Sequence, residues 1–245
     1  MTDTVAMVTG ASSGIGAATA HELAGLGATV ALVARRANAL EALAEQLRAA
    51  GGQALSVVAD LTDPAAVDAA ISAVVTQAGR LDILINNAGI GYLRPVREGE
   101  LDEWRQMVQI NLLGSLYCTR AALPHLAGAA RGERGVADLV MISSAAGRVA
   151  RAGNGVYAAT KHAVNAFSES LRQEITAEYV RVGVVEPGMV TTELTVGDTG
   201  GPPPVGSEHF GWLAPGDIAS AVGYMVTRPR HAAVNEILIR PTEQR

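Results

Sequence analysis

The chain has 245 residues, 49% of them apolar and 18% charged, with a net charge of −5 and a calculated pI near 5.6. That composition supplies a large buried core and excludes a disordered chain, and the scattered arginines leave no nucleic-acid footprint. A single cysteine, Cys118, excludes an internal disulfide and suits a reducing, cytoplasmic setting, while neither a basic leader nor an uncharged run of about eighteen residues marks a signal or a membrane span.

From the N-terminus, short β-branched runs alternate with segments of helical period. Residues 4–10 (TVAMVTG) predict a buried strand, and 14–27 a helix that stops at a glycine. A second strand is predicted over 29–35 and a second helix over 38–51, its leucines at helical spacing. Residues 54–60 and 63–79 repeat the unit, with Asp63 capping and Pro64 in the first helical position. A fourth strand is predicted at 81–89, then a long helix over much of 101–127 with a bend expected at Pro124. The remaining strands fall at 137–144, 180–188 and 235–241, with helices over 156–178 and near 215–228. This alternation predicts an α/β fold: a Rossmann-like, doubly wound parallel sheet of about seven strands with helices on both faces, one domain over 1–245. The rhythm breaks at 191–213, rich in Gly and Pro and carrying Phe210 and Trp212 at its far end. A loop this long inside a compact domain predicts a lid or substrate-binding loop.

The five histidines, at 21, 125, 162, 209 and 231, have no ligand-like spacing, so no metal site is expected. Chemistry begins after the first strand, where TGASSGIG sets Gly10, Gly14 and Gly16 at G-x-x-x-G-x-G spacing. Glycine there lets the backbone turn sharply and approach a pyrophosphate, while the start of the next helix offers free N–H groups and partial positive charge. The end of the second strand separates the dinucleotides. A carboxylate would bind a ribose 2′-hydroxyl, whereas Ala34-Arg35-Arg36 holds no acid and offers guanidinium groups to a 2′-phosphate. The cofactor read from this is NADP(H), against the plainer reading of two solvated strand-end charges. Asp60, after the third strand, is placed either to hold an adenine ring or to close a turn.

Eighteen of the nineteen basic residues are arginine, so Lys161 is the only lysine. It follows Tyr157 by four residues, one turn along the same helix face. The apolar stripe Ala163, Phe167, Leu171 and Ile175 is read as pointing roughly the other way, which leaves the Tyr–Lys face to a ligand. A phenol with pKa about 10 transfers protons poorly at neutral pH. An ammonium about 4 Å away, at an effective dielectric of about 20, favours the phenolate by roughly 4 kcal/mol, or about three pKa units before desolvation subtracts its share. The expectation is a tyrosine poised as acid/base near operating pH.

These motifs, together with NNAG (86–89), Asn111 in QINLLG, ISS (142–144), YAATK (157–161) and PGMVTT (187–192), run in order along nearly the whole chain, which resembles the short-chain dehydrogenase/reductase family. The resemblance implies that Tyr157 is the catalytic acid/base and that Lys161 holds the nicotinamide ribose while lowering the tyrosine's pKa. It implies that Ser144, rather than Ser143, polarises the substrate oxygen, and that Asn111 anchors a water in a proton relay. It extends the dinucleotide surface from the glycines, arginines and Asp60 to Ser12, Ser13, Ile15 and Leu61, to Asn87, Ala88 and Gly89, to Tyr157 and Lys161, and to Pro187, Gly188, Val190 and Thr192. The C-terminal NEILIRPTEQR, with ALPHL, NAFSESLRQE and GRV, is similar to an NADP-dependent subgroup containing 3-hydroxy acid dehydrogenases and the clavulanate-pathway aldehyde reductase. That similarity implies a biosynthetic carbonyl reduction.

The function expected is therefore an NADPH-dependent oxidoreductase that interconverts a ketone or aldehyde and its alcohol. An enoyl reductase of this architecture would set six residues between tyrosine and lysine, where this chain has three. A non-catalytic NADP-binding regulator would have lost part of the catalytic set. Substrate contacts are expected from Tyr92, Leu93, Ala145, Ala146, Arg148, Val149, Met189, Leu194, Phe210 and Trp212, whose apolar character suits a ring or alkyl group beside the carbonyl. Arg148 and Arg151 are read first as solvated and second as partners for a substrate carboxylate. Ala121, Ala122, Leu123, Val164 and Ala166 suggest a subunit surface, and the resemblance implies a homotetramer or homodimer. The other partner expected is a small-molecule substrate, with neither nucleic acid nor membrane.

Overall fold

Strands and helices follow one another as β1 (Val5–Thr9), α1 (Gly14–Gly25), β2 (Thr29–Ala34), α2 (Ala37–Ala49), β3 (Gln53–Val58), α3 (Pro64–Ala78), β4 (Ile83–Asn86), α4 (Leu101–Met107), α5 (Ser115–Ala129), β5 (Ala137–Ile142), α6 (Gly155–Ile175), β6 (Val180–Pro187), α7 (Glu193–Val196), α8 (Pro215–Val226) and β7 (Glu236–Ile239). The structure is a computed structural model and describes residues 1–196 and 211–244. The seven strands pair in parallel in the order β3-β2-β1-β4-β5-β6-β7, the doubly wound sheet that the alternation predicts.

Alternating side chains explain why the central strands are apolar throughout. Ala6 and Val8 of β1 pack with Leu32 and Ile83 in one cluster that also takes Leu23 of α1, Leu40 of α2 and Val222 of α8. Val5 and Met7 pack on the opposite face with Leu84 and Leu139, together with Val67 of α3, Ala122 of α5 and Leu171 of α6. Local signals set the helix ends. Asp63 accepts the N–H of Ala65 at 2.9 Å as the cap of α3, Pro64 opens that helix, and Gly79 ends it at φ 79°. Cys118 lies in the same core, and burial pushes its thiol up to about 12, out of reach of thiolate chemistry. No helix among the described residues is long and apolar enough to cross a membrane.

The strand order reverses between β1 and β4, so a crevice opens above their carboxyl ends, the usual ligand position in open α/β sheets. Three expectations change here. The helix expected over 101–127 is interrupted in kind, because Val108–Gly114 forms a π-helical turn between α4 and α5, whereas α5 runs on through Pro124. A π turn shifts the register of the side chains around it, and Asn111 sits inside this one, buried. Second, Lys161 does not oppose the apolar stripe of α6: it heads a buried series with Val164, Ser168, Leu171 and Ile175, at spacings of three and four. Third, Ala122 and Val164 are buried in the core of this chain and offer nothing to a subunit surface, while Ala121 and Leu123 are half-buried and Ala166 is exposed.

The amino-terminal side of the sheet is held by charge. Buried Asp138 on β5 accepts from Arg181 of β6 at 2.7 and 3.0 Å and is also paired with Arg134. Both guanidinium groups reach on to the carbonyl of Val226 at the end of α8. Removing the carboxylate strands two cations in a low-dielectric setting. Asp138→Ala is expected to lower unfolding stability by about 3–5 kcal/mol, read as an earlier midpoint in urea denaturation.

Candidate active site

The site is built from the carboxyl ends of β1, β4, β5 and β6. Thr9 closes β1, and its Oγ1 accepts the N–H groups of Asn87 (3.0 Å) and Ala88 (3.1 Å). Asn87 Nδ2 donates back to the carbonyls of Thr9 (2.9 Å) and Gly10 (3.3 Å). Asn87 is thus a staple between β4 and the glycine turn, with its amide directed into the protein. Gly10 and Gly14 lie at φ 65° and 53°, where a side chain would be strained. A Cβ on Gly16 would fall 2.3 Å from the Gly10 carbonyl oxygen, so only glycine lets α1 start this close to the turn. Ser13 precedes α1 without capping it through its side chain, which leaves the helix start to an outside acceptor.

Arg35 and Arg36 emerge exposed at the end of β2. Arg36 donates to Ser12 Oγ (3.1 Å), Ser13 Oγ (2.7 Å) and Glu193 (2.9 Å), whereas Arg35 makes no hydrogen bond to a described residue. Asp60 Oδ1 accepts the Thr62 N–H (3.0 Å) and hydroxyl (2.9 Å), the arrangement of a turn acid. The Thr62 N–H, then its hydroxyl and nearby Arg35, hold the Asp60 carboxyl below its ordinary range. Leu61 is buried behind it, against Gly114. A cradle that any Cβ would strain, an uncapped helix start, two hydroxyls and two guanidinium groups together fit a phosphorylated dinucleotide.

On α6, Lys161 is buried, donates from Nζ to the Ile142 carbonyl at 2.8 Å, and stands 5.8 Å from the centre of the Tyr157 ring. Burial lowers its pKa to about 8, since one carbonyl replaces much of a hydration shell. Burial also pushes the Tyr157 phenol above its ordinary value, opposed by a hydrogen bond from Ser144. The expectation of a phenol drawn downward therefore fails for the polypeptide by itself, because desolvation outweighs the opposing Ser144 hydroxyl.

Neighbouring residues after β5 point in different directions, and this separates the two serines. Ser143 is buried, with Oγ 3.4 Å from the Lys161 carbonyl, while Ser144 is half-buried, with Oγ 3.5 Å from the Pro187 carbonyl and close enough to Tyr157 to oppose the upward shift of its phenol. Ser144 Oγ also accepts the Ala146 N–H at 3.1 Å and so caps the turn Ala145–Gly147. Asn111 Oδ1 accepts the Ile90 N–H (2.8 Å), and its Nδ2 donates to the Ile90 carbonyl (2.8 Å) and to Thr160 Oγ1 (3.2 Å). Thr160 in turn donates to the Tyr157 carbonyl at 2.7 Å. The Asn111 side chain is therefore engaged with protein and clamps 89–91 against α6. A Cβ on Gly89 would lie 3.3 Å from Asn111 Oδ1 and 3.6 Å from Lys161 Nζ; one on Gly91 would lie 3.3 Å from Tyr157 Cδ2 and 3.8 Å from Leu194 Cδ1.

The far wall follows β6. Gly188 donates to the Ile239 carbonyl (2.7 Å), and the backbones of Met189 and Thr191 bracket Leu213 with two bonds of 2.9 Å, beside buried Val190. The methyl of Thr192 lies 3.3 Å from where a Cβ of Gly14 would be, which brings this segment back to the glycine turn. Gln244 Oε1 accepts the Met189 N–H (3.0 Å), and Glu243 accepts that of Gly211 (3.2 Å). Nothing local in the sequence points to Gln244, whose partner is 55 residues away. Glu193 likewise meets its partner only through the fold, and Thr9 and Thr160, inside TGASSGIG and YAATK, carry no local sign of the bonds they make.

Of the expected substrate contacts, Leu194 lies near Gly91, whose other neighbour is Tyr157, Ala145 and Ala146 directly follow Ser144, and Met189 follows Gly188. The Tyr92 hydroxyl donates to Gln106 at 3.2 Å, Leu93 and Val149 are exposed, and Trp212 is half-buried next to Leu213. Phe210 lies outside the described residues. Arg148 is a correction: its Nε is 2.5 Å from buried Glu186, and it also pairs with Glu236, so it is neither simply solvated nor open to a substrate carboxylate. It braces β6 and β7 against the turn that follows Ser144.

Residues 4–199 match the family described as short chain dehydrogenase. The chain is 39% identical over 246 aligned positions to the glycine betaine reductase ATRR of Emericella nidulans, an overlap that takes in 98% of this chain and only 19% of that protein. The alcohol dehydrogenase from the archaeon Thermococcus sibiricus, complexed with 5-hydroxy-NADP, is 30% identical with a TM-score of 0.88, over 99% of this chain and 98% of that one. The 3-ketoacyl-(acyl-carrier-protein) reductase from Brucella melitensis, complexed with NADH, is 28% identical with a TM-score of 0.88, over 98% and 97%. The same architecture thus carries either dinucleotide, and the choice has to come from local residues.

Folding moves Lys161 from 10.5 to about 8, so between those values the unfolded chain binds more protons than the native one. The cost of burying the ammonium is present in full below pH 8 and disappears as pH rises through the window. The melting-temperature difference between wild type and Lys161→Met is expected to move in favour of wild type between pH 8 and 10.5, measured in thermal melts without nucleotide.

Proposed function

The chain belongs to the short-chain dehydrogenase family of oxidoreductases, and we propose that within it the protein is an NADPH-dependent carbonyl reductase, interconverting a ketone or aldehyde and its alcohol with Tyr157 as acid/base. The observation that carries this reading is the Tyr157 ring centred 5.8 Å from the ammonium of buried Lys161, with the Ser144 hydroxyl beside the phenol, on the edge of the sheet that also bears the glycine turn.

A phenol with pKa about 10 is protonated at neutral pH, the form able to deliver a proton, and burial of Tyr157 pushes in the same direction. Tyr157 Oη and Ser144 Oγ are two donors that converge on one substrate oxygen and meet the negative charge that develops there. When bound, NADPH supplies the electron pair and the hydrogen added to the carbonyl carbon. Gly10 to Gly16, with Ser12, Ser13 and Ile15, would cradle its pyrophosphate, and Arg35 and Arg36 its 2′-phosphate. Asp60 and Leu61 would border the adenine, and Ala88, Gly89, Pro187, Gly188, Val190 and Thr192 the nicotinamide half. Lys161, with the only primary amine side chain, would hold the ribose hydroxyls, and Asn111 would keep 89–91 closed over that end. Leu194, Met189, Ala145 and Ala146 suit an apolar group beside the carbonyl. The lone buried thiol agrees with a cytoplasmic setting, and the family likeness with a homodimer or homotetramer in a biosynthetic step of the 3-hydroxy acid dehydrogenase kind.

Oxidation of NADPH by a panel of ketones and aldehydes is the direct test; a chain that binds NADPH and turns over none of them would be a non-catalytic NADP-binding regulator. Tyr157→Phe is expected to lower kcat/KM by about 10²-fold or more while NADPH still binds, as read by fluorescence titration. Arg35→Asp is expected to weaken NADPH binding by roughly 10- to 100-fold with NADH little changed; an unaltered preference removes Arg35 from the phosphate.

A further inference from the structure

Of the two cations that face a 2′-phosphate in this reading, Arg36 is already partnered. Arg36 Nη2 lies 2.9 Å from Glu193 Oε2 and 2.7 Å from Ser13 Oγ, and its Nε lies 3.1 Å from Ser12 Oγ. Arg36 and Glu193 are 157 residues apart in the chain. They meet because the segment after β6 folds back over the glycine turn, where Thr192, next to Glu193, packs against Gly14. The carboxylate is held below its ordinary range first by Arg36 and then by a hydrogen bond from Ser13. A carboxylate therefore rests on the same guanidinium that the cofactor's phosphate would use, beside the Ser13 hydroxyl that this guanidinium also binds.

We propose that Glu193 is an internal stand-in for the 2′-phosphate, displaced from Arg36 and Ser13 when NADPH binds, and that it thereby sets how strongly the protein prefers NADPH over NADH. The proposal rests on the NADP reading given above.

A carboxylate and a phosphate monoester are both oxyanion acceptors for a guanidinium fork, but the phosphate brings three oxygens and nearly twice the charge. The two cannot share one fork, since their like charges repel. With side chains 52% and 62% exposed, the Arg36–Glu193 pair is screened and weak, so a dianion displaces it easily. A ribose 2′-hydroxyl carries no charge and leaves the pair in place. Glu193 consequently opposes NADPH selectively, and neutralising it strengthens only ligands that bear the phosphate.

The experiment is calorimetric titration of the full chain, wild type and Glu193→Gln, with NADPH, NADH, 2′,5′-ADP and 5′-AMP at one ionic strength, with thermal melts to verify folding. Glu193→Gln is expected to tighten NADPH and 2′,5′-ADP by about two- to fivefold and to leave NADH and 5′-AMP unchanged; Glu193→Asp, which keeps the charge, is expected to stay near wild type. Equal changes for both pairs of ligands, or no change for either, would overturn the proposal. So would a loss confined to NADH and 5′-AMP, since Glu193 would then be the acceptor of a 2′-hydroxyl. Failure of the cofactor reading is visible in wild type alone: if it binds NADH as tightly as NADPH and 5′-AMP as tightly as 2′,5′-ADP, that reading falls and this inference with it.

Discussion

Seven strands that all run the same way must each return to the starting edge through a helix, so every strand-to-helix turn lies on one edge of the sheet. Between β1 and β4 the return paths diverge to opposite sides, and a gap is left between them. Four chain segments end there: the glycine turn after Thr9, residues 87–91, the serines after Ile142, and the stretch after Pro187. Thr9 Oγ1 gathers two of them by accepting from Asn87 and Ala88. With the Asn87 amide donating back to the Thr9 and Gly10 carbonyls, that closure holds the glycine turn against residues 87 and 88.

Desolvation gives this crevice its character. An ammonium buried against the Ile142 carbonyl is held in a setting that disfavours its charge, and the half-buried phenol beside it is held in one that favours its proton. Desolvation of this kind costs stability in the polypeptide and is tolerated where binding offsets it. It also accounts for a lysine in a chain whose other cations are arginines. A guanidinium is planar and forked, whereas a compact amine on a flexible stem fits the space between Ile142 and the Tyr157 ring.

The arginines show the complementary case. Arg181, Arg134 and Arg148 each use several donors at once on carboxylates and carbonyls from different elements. The forks of Arg134 and Arg181 tie β5, β6 and the end of α8 together at the amino-terminal side of the sheet, and that of Arg148 ties β6 and β7 to the turn after Ser144. Arg36 makes the same kind of fork across the mouth of the crevice, but on an exposed carboxylate that solvent screens. Geometry of one type thus serves permanence in the interior and exchange at the surface.

What the chain order by itself determined was whatever depends on neighbours in sequence. Strands covered on both faces have to be apolar, so their positions stood out as β-branched runs; Asp63, Pro64 and Gly79 mark helix ends through bonds that span a few residues. Tyr157 and Lys161 share a helix face because four residues make about one turn. Tertiary structure alone decided the pairings between distant segments: Arg148 with Glu186, Arg36 with Glu193, Gln244 with the backbone of Met189. It also decided the direction of the Tyr157 shift and the π turn that aims Asn111. The physical reason is common to these cases. Periodicity records which side of an element is buried, but not the depth of a given atom or which group from another element will lie against it.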